Sequence, residues 1–270
     1  MEGSSAGTAP RQGGATDDTI VLCYHALSED WRAPLSVTPR QFEFQIGLLA
    51  SRGYRGATFT EAALAERPEK VVAVTFDDGY RSVIELARPI LDRHGFPGTV
   101  FVPTRFMDTG KPLAWDGIDE WLGGPHENEL LPMSWAELRS LTEGGWEIGS
   151  HTLTHPRLPA IDDAELRAQL VESRQECARM IGGECTSIAF PYGDADARVL
   201  REAEAAGYSA AAMLSDRLDR SSRFACPRIG VYQVDGHRAF RLKVSPTVRR
   251  LRRSRAWLPI ARLLHSIRRG

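Results

Sequence analysis

Short apolar runs alternate with longer amphipathic segments from about residue 19 to residue 232. Most runs are four to six residues long and carry β-branched or aromatic side chains, which is typical of the buried strands of a parallel sheet. This alternation predicts an α/β domain over residues 19–235. The predicted strands are Ile20–Tyr24, Val71–Phe76, Thr99–Val102, Trp146–Gly149, Ser187–Phe190 and Ser209–Met213.

The segments between these runs carry the signals of helix ends. Thr38-Pro39 resembles a capped helix start, and Gly53 ends that helix. Ser134 and Glu137 fit the capping box S-x-x-E. The length of the alternating region favours a (β/α) barrel over a small open sheet, although there are fewer than eight repeats. Two further helices are predicted over Ala164–Ile181 and Ala197–Ala206.

Composition is that of a soluble globular protein, with 42% hydrophobic and 26% charged residues in a chain of 270. No run is apolar and long enough to span a membrane, and the first nineteen residues lack the apolar core of a secretory signal. We expect residues 1–18 to be disordered. The four cysteines form no CxxC pair, so we expect free thiols and a cytoplasmic location.

The net charge of −1 hides a basic C-terminal tail. Residues 236–270 contain eleven Lys and Arg and no acidic residue, so the rest of the chain has a balance of −12. Within the tail, Val248–Ile267 mixes arginine with apolar residues, and Pro259 should divide any helix there. This pattern favours contact with an anionic membrane at its inner face, or packing on the acidic body. Nucleic acid is disfavoured because no nucleic-acid-binding motif accompanies the charge.

Four polar clusters come directly after predicted strands. If the strands are parallel, the clusters meet on the face where α/β barrels place their active sites. The clusters are Tyr24-His25, Asp77-Asp78-Gly79, His151-Thr-Leu-Thr-His155 and Pro191-Tyr192-Gly193.

Two of these clusters have the chemistry of a metal site. Asp77 and Asp78 can reach one site only where the strand ends and Gly79 allows a bend, so one carboxylate can bind a cation while the other stays free as a base. His151 and His155 share a face on a helical turn and complete a two-histidine, one-carboxylate set with Asp78. Three protein ligands leave a position open for water. The alternatives are a solvated turn and a chance histidine spacing on the surface.

Three motifs, in this order, resemble those of the polysaccharide deacetylases (carbohydrate esterase family 4, the NodB-homology domain). They are Thr75-Phe76-Asp77-Asp78-Gly79, Ser150-His151-Thr152-Leu153-Thr154-His155-Pro156 and Phe190-Pro191-Tyr192-Gly193, and the similarity covers about residues 19–215. The resemblance implies a deformed (β/α) barrel that hydrolyses the N-acetyl group of an amino sugar.

The same resemblance implies roles for individual residues. A divalent metal, commonly zinc, would be bound by Asp78, His151 and His155. Asp77 would be the general base. The backbone N–H of Tyr192 would hold the oxyanion, in a substrate-binding turn that includes Pro191.

The chain departs from the family in two places. We find no late Leu-x-His motif to supply a general acid, which leaves His25 and His237. Tyr24-His25 resembles the Tyr-His pair of the branch that includes the poly-N-acetylglucosamine deacetylases, in which the early histidine is the acid, so we favour His25. The third motif usually begins with Arg, but Ala189 stands there. Arg228 could supply the guanidinium from another strand end, or it could be an ordinary surface residue.

The segment Phe106–Met133 is too long for a simple connection and predicts a lid or a substrate-facing excursion. Its residues Trp115 and Trp121 could stack on sugar faces, although packing in the core is the more usual role of tryptophan. The sequence therefore predicts a metal-dependent N-deacetylase of sugars or glycoconjugates. The alternatives are a metal-dependent amidase acting on a non-sugar amide, and a non-catalytic sugar-binding relative.

Overall fold

The computed structural model describes residues 18–65, 70–215, 217–218, 222–254 and 257. Its strands are β1 Ile20–Tyr24, β2 Ala26–Leu27, β3 Ser36–Val37, β4 Arg55–Ala57, β5 Val71–Phe76, β6 Gly98–Val102, β7 Glu147–Ser150, β8 Ser187–Ala189, β9 Ala210–Leu214 and β10 Cys226–Gly230. Its α-helices are α1 Pro39–Ser51, α2 Phe59–Leu64, α3 Arg88–Arg93, α4 Trp135–Glu143, α5 Asp163–Ile181, α6 Ala197–Ala205, α7 His237–Lys243 and α8 Pro246–Arg253.

Seven parallel strands close into a barrel in the order β1-β10-β9-β8-β7-β6-β5, because β5 also pairs with β1. The barrel is irregular at β5, because both β4 and β6 pair with the same edge of that strand. β4 pairs with Val71–Ala73, and β6 pairs with the following three residues, Val74–Phe76. The deformation therefore lies beside the strand that leads into Asp77.

Strand alternation separates two buried layers. In β5, Ala73 belongs to a cluster inside the barrel, while Val72, Val74 and Phe76 belong to the larger cluster beneath the helices. A strand buried on both faces has little need of polar residues, which explains the continuous apolar runs of the sequence. The side chains that point inward at the carboxyl ends are the ones able to form a site.

The predicted helix signals are confirmed. Thr38 and Ser134 cap α1 and α4, each in a reciprocal capping box, and Gly53 follows the end of α1 in the left-handed region (φ 76°). Four strands lack a predicted counterpart: β2, β3, β4 and β10. β10 has the sequence CPRIG. Its proline and arginine interrupt the apolar pattern, so hydrophobicity alone does not predict this strand.

The described part of the basic tail lies against the barrel, with α7 beside α1. The guanidinium of Arg249 is buried, and its Nη2 donates to Asp18 Oδ1 at 2.6 Å and to the hydroxyl of Tyr54 at 3.0 Å. Part of two predictions lies outside the described residues: residues 1–17 of the segment expected to be disordered, and residues 255–256 and 258–270 of the tail. Within the described ranges, no helix combines the length and apolar character that a bilayer crossing needs.

Candidate active site

The four polar clusters meet at the carboxyl ends of the strands, around a cavity of about 360 Å³. The segment Phe106–Met133 supplies one wall of this cavity, as a substrate-facing excursion would. The lining residues are His25, Trp31, Ala33, Pro34, Leu35, Asp77, Asp78, Trp115, Asp116, Gly117, Ile118, Glu120, Trp121, His151, His155, Tyr192, Gly193, Leu214 and Tyr232.

Asp78, His151 and His155 come together on one side of the cavity. Asp78 Oδ1 lies 3.5 Å from the Nε2 atom of each histidine, and all three side chains are buried. The prediction that a helical turn brings the histidines together is wrong. Residues 151–155 form an irregular turn, with left-handed backbone at Thr152 (φ 71°) and His155 (φ 61°). Asp78 is itself left-handed (φ 71°), and this bend turns its carboxylate toward the histidines.

These three residues fit a divalent cation. Asp78 Oδ1 is buried and has no hydrogen-bond partner among the described residues, an arrangement that is costly unless something else pairs with it. His151 Nδ1 lies 2.7 Å from the carbonyl oxygen of Ala189, which fixes the tautomer that leaves the Nε2 lone pair free. Burial lowers the pKa of both histidines and keeps them neutral, as metal ligands must be.

Asp77 is held apart from this set by Arg228. The guanidinium donates from Nη1 to Oδ1 at 2.6 Å and from Nη2 to Oδ2 at 2.7 Å, and Arg228 is fully buried. Burial by itself raises the pKa of Asp77, but the guanidinium outweighs it and holds that pKa well below the usual range of an aspartate. Asp77 is therefore an ionised carboxylate of fixed orientation, and its guanidinium comes from β10 rather than from position 189.

His25 lies close to Asp77, and Cys23 Sγ donates to Asp77 Oδ2 at 3.4 Å. Burial lowers the pKa of His25 to about 4, even though the negative charge of Asp77 opposes the shift. His237, the other predicted acid, lies in α7 with its ring stacked on Phe44, and it is not among the residues that line the cavity.

The third motif forms a tight turn at the edge of the cavity. Tyr192 has left-handed backbone (φ 59°), and its ring centroid lies 4.8 Å from that of His155. The guanidinium of Arg157 covers the outer face of the Tyr192 ring at 3.9 Å. Pro191 is buried and is not among the residues that line the cavity, so its role in substrate binding stays a prediction.

Both predicted tryptophans line the cavity. Trp115 stacks on the His155 ring with centroids 4.2 Å apart, and Trp121 meets Trp31 edge to face at 5.7 Å. Sequence reasoning missed Trp31 and Tyr232 as lining residues.

A sequence profile described as polysaccharide deacetylase matches residues 65–211, more than half of the chain. The chain belongs to the polysaccharide deacetylase family. The predicted membership is thus confirmed, and with it the deformed (β/α) barrel. The Tyr-His branch assignment stays a prediction.

Among curated proteins, the chain is 28% identical over 193 residues to YxkH of Bacillus subtilis, a protein named for the same family. It is 26% identical over 171 residues to the poly-β-1,6-N-acetyl-D-glucosamine N-deacetylase of Staphylococcus aureus. The matches cover 70% and 58% of this chain, and 61% and 54% of those relatives. The chain therefore spans less than two thirds of the curated relatives it matches.

Two solved structures support the fold. The Streptococcus pyogenes deacetylase PplD, in complex with acetate, matches with a TM-score of 0.71 at 20% identity, over 84% of this chain and 98% of that one. IcaB from Ammonifex degensii matches with a TM-score of 0.66 at 22% identity, over 88% and 98% of the two chains. At these identities the similarity establishes the fold alone.

Proposed function

We propose that this protein is a divalent-metal-dependent hydrolase that removes the N-acetyl group from an N-acetylated amino sugar in a glycan or glycoconjugate. The observation that carries the proposal is the separation of two neighbouring carboxylates beside one cavity. Asp78 faces two neutral histidines, as a cation ligand would, while Asp77 is ionised and held by Arg228. The relative from Staphylococcus aureus, an N-deacetylase of poly-N-acetylglucosamine, supports the sugar substrate.

A divalent cation, Zn²⁺ by preference, bound by Asp78 and the two histidines would polarise the acetamide carbonyl and lower the pKa of a nearby water. Asp77 accepts the proton of the attacking water, and Arg228 keeps the carboxylate ionised and oriented until it does so. The backbone N–H of Tyr192 donates to the oxyanion that develops at the carbonyl.

His25 delivers a proton to the departing amine. Because its pKa is about 4, the resting ring is neutral at pH 7 and accepts a proton before it donates one to the amine. It can act only after a proton from water reaches it, and Asp77 is close enough to pass one on. We therefore assign His25 as a relay from Asp77 to the amine, and not His237, because His237 is not among the residues that line the cavity.

The aromatic walls suit the apolar faces of sugar rings. Trp31, Trp115 and Trp121 line the cavity together with Tyr192 and Tyr232. Aromatic rings offer broad contact to C–H faces while the polar rim is free to bind hydroxyls. A small non-sugar amide would leave most of this wall without contact, which disfavours the amidase alternative.

The proposal is tested by measuring acetate release from N-acetylglucosamine oligomers and from a lipid-linked N-acetylhexosamine. The protein is first stripped of metal and then reloaded with Zn²⁺ or Co²⁺, beside an Asp77→Asn control that should fall to background. Metal-dependent release in the wild type alone supports the proposal. Release from small amides but from no sugar would select the amidase, and metal binding with no hydrolysis would select the sugar-binding relative.

We also propose, as a separate point, that the protein works in the cytoplasm at the inner face of an anionic membrane. All four cysteines are free, as in a reducing compartment. Exposed residues of α7 and α8 combine arginine with leucine, as in Arg238, Arg241, Leu242, Arg250 and Leu251. Reversing the three arginines to glutamate should abolish sedimentation with anionic vesicles, and unchanged sedimentation would contradict this location.

A further inference from the structure

A second cluster of metal-ligand atoms lies beside the triad. One ligand atom each from Cys23, His25 and Asp77 lie within 4.8 Å of one another. None of these residues belongs to the set formed by Asp78 and its histidines. Cys23 is buried, and its Sγ donates to the Asp77 carboxylate, which lines the cavity.

The separation of the sulfur and oxygen ligands is close to that of a tetrahedral site. Sulfur at about 2.3 Å and oxygen at about 2.1 Å from a tetrahedral zinc ion are about 3.6 Å apart. Cys23 Sγ and Asp77 Oδ2 are 3.4 Å apart. His25 adds an independent sign, because its Nδ1 is buried with no hydrogen-bond partner among the described residues. Some 91% of the residue's surface is covered.

We propose that Cys23, His25 and Asp77 form a second, inhibitory site for thiophilic divalent ions, namely Cd²⁺ or an excess of Zn²⁺. On binding, the thiol proton of Cys23 passes to solvent and a sulfur–metal bond forms, with no change in oxidation state. His25 supplies a neutral nitrogen, and Asp77 supplies an oxygen lone pair. Water completes the coordination from the cavity, which His25 and Asp77 line.

Arg228 sets the order in which the two sites fill. Its guanidinium already occupies two of the roughly four lone-pair positions of the Asp77 carboxylate, and its positive charge opposes a nearby cation. The cluster is therefore the weaker site, and it fills after the triad. Thiolate coordination makes it selective for soft ions over Mg²⁺ or Ca²⁺.

Occupation of the cluster would inhibit the enzyme, and this part of the inference rests on the proposed function. A metal ion on Asp77 and His25 uses the lone pairs that receive and relay the proton. Excess metal would then stop turnover without removing the ion from the triad.

Cadmium titration of the protein reloaded with one equivalent of Cd²⁺ tests the site directly. Binding is counted by equilibrium dialysis, and the thiolate-to-cadmium charge-transfer band is followed in the ultraviolet. We expect a second ion in the wild type, accompanied by the band. Cys23→Ser and Cys23→Ala should bind one ion and show no band, whereas Cys185→Ser, which removes another buried thiol, should behave as wild type.

An Asp78→Asn variant separates the two sites, because it weakens the triad and should keep the band. Absence of the band from the wild type at saturating Cd²⁺, its persistence in both Cys23 variants, or its loss in Asp78→Asn would each overturn the proposal. In the activity arm, excess Cd²⁺ should reduce acetate release at least about tenfold in wild type, while Cys23→Ser keeps the rate it has with one ion. If no form of the protein releases acetate, the band and the stoichiometry still decide the site, so failure of the two proposals is distinguishable.

Discussion

An Arg228→Met substitution tests whether the buried ion pair organises the proposed base. Methionine keeps an unbranched, flexible side chain but carries no charge and no hydrogen-bond donor. The change removes the contacts at 2.6 Å and 2.7 Å to Asp77, and a third at 3.1 Å to the hydroxyl of Thr75. It leaves the Asp77 carboxylate ionised, 3% exposed and without a cation.

Removing one partner of a buried pair costs about 3–5 kcal/mol of unfolding free energy, because the other charge stays desolvated. The total unfolding free energy of a domain is about 5–15 kcal/mol, so the variant should still fold. It should unfold at a lower urea concentration than wild type. The main opposition to burial of Asp77 is then gone, and its pKa should rise. Loss of orientation at the carboxylate should lower kcat about 10²-fold.

The assay is a double-mutant cycle in urea at pH 7 on metal-free protein. It compares wild type, Arg228→Met, Asp77→Asn and the double variant. We expect a coupling energy of about 2–3 kcal/mol, because the double variant no longer buries a lone charge. Arg228→Lys should lie between wild type and Arg228→Met, since an ammonium replaces a bidentate fork with one point charge. A loss below about 1 kcal/mol in Arg228→Met, or strictly additive effects, would refute the reasoning.

Four further predictions follow from the site. His25→Gln should lower kcat for acetate release about 10²–10⁴-fold, whereas His237→Gln should match wild type; equal losses would contradict the relay. His25 has a pKa of about 4 when folded against an ordinary 6.5, so the folded state binds fewer protons between these values and stability falls as the pH drops from 6.5 to 4. In urea unfolding at several pH values, the unfolding free energy of His25→Gln should fall by up to about 3 kcal/mol less than that of wild type between pH 6.5 and 4. Equal losses in the two proteins would contradict this pH dependence. Asp78→Asn should weaken Zn²⁺ binding, measured against a chelator, by more than about 100-fold, and an unchanged affinity would exclude the triad. Trp115→Ala should raise KM for chitooligosaccharides about 2- to 10-fold with little change in kcat, and an unaltered KM would remove Trp115 from the sugar site.

Local patterns predicted those parts of the fold whose causes are local. A strand that is buried on both faces has a continuous apolar sequence in any barrel, so it can be predicted without knowing its neighbours. The capping boxes at Thr38 and Ser134 need only four consecutive residues. β10 was missed for the opposite reason. Its Arg228 is buried because Asp77 neutralises it, and the partner is 151 positions away in the chain.

The four-residue spacing of His151 and His155 correctly predicted that their side chains lie close together, but the backbone conformation predicted from it was wrong. Four positions suit a helical turn, but the chain reaches the same convergence by left-handed backbone at Thr152 and His155. Such conformations cost energy in isolation and persist where surrounding contacts over-determine them. Here Gln169 Oε1 accepts from the backbone N–H groups of the turn at Leu153 and Thr154.

The sequence by itself determined which residue types follow which strands, and so the triad, the adjacent aspartate and the family. Only the tertiary structure decided how these groups are paired: Arg228 with Asp77, Cys23 with the same carboxylate, and His237 with Phe44 rather than with the cavity. The physical reason is that β5, β1 and β10 lie side by side in the closed barrel. Their register sets which side chains share the interior, and register depends on closure of the whole sheet rather than on neighbours in the chain.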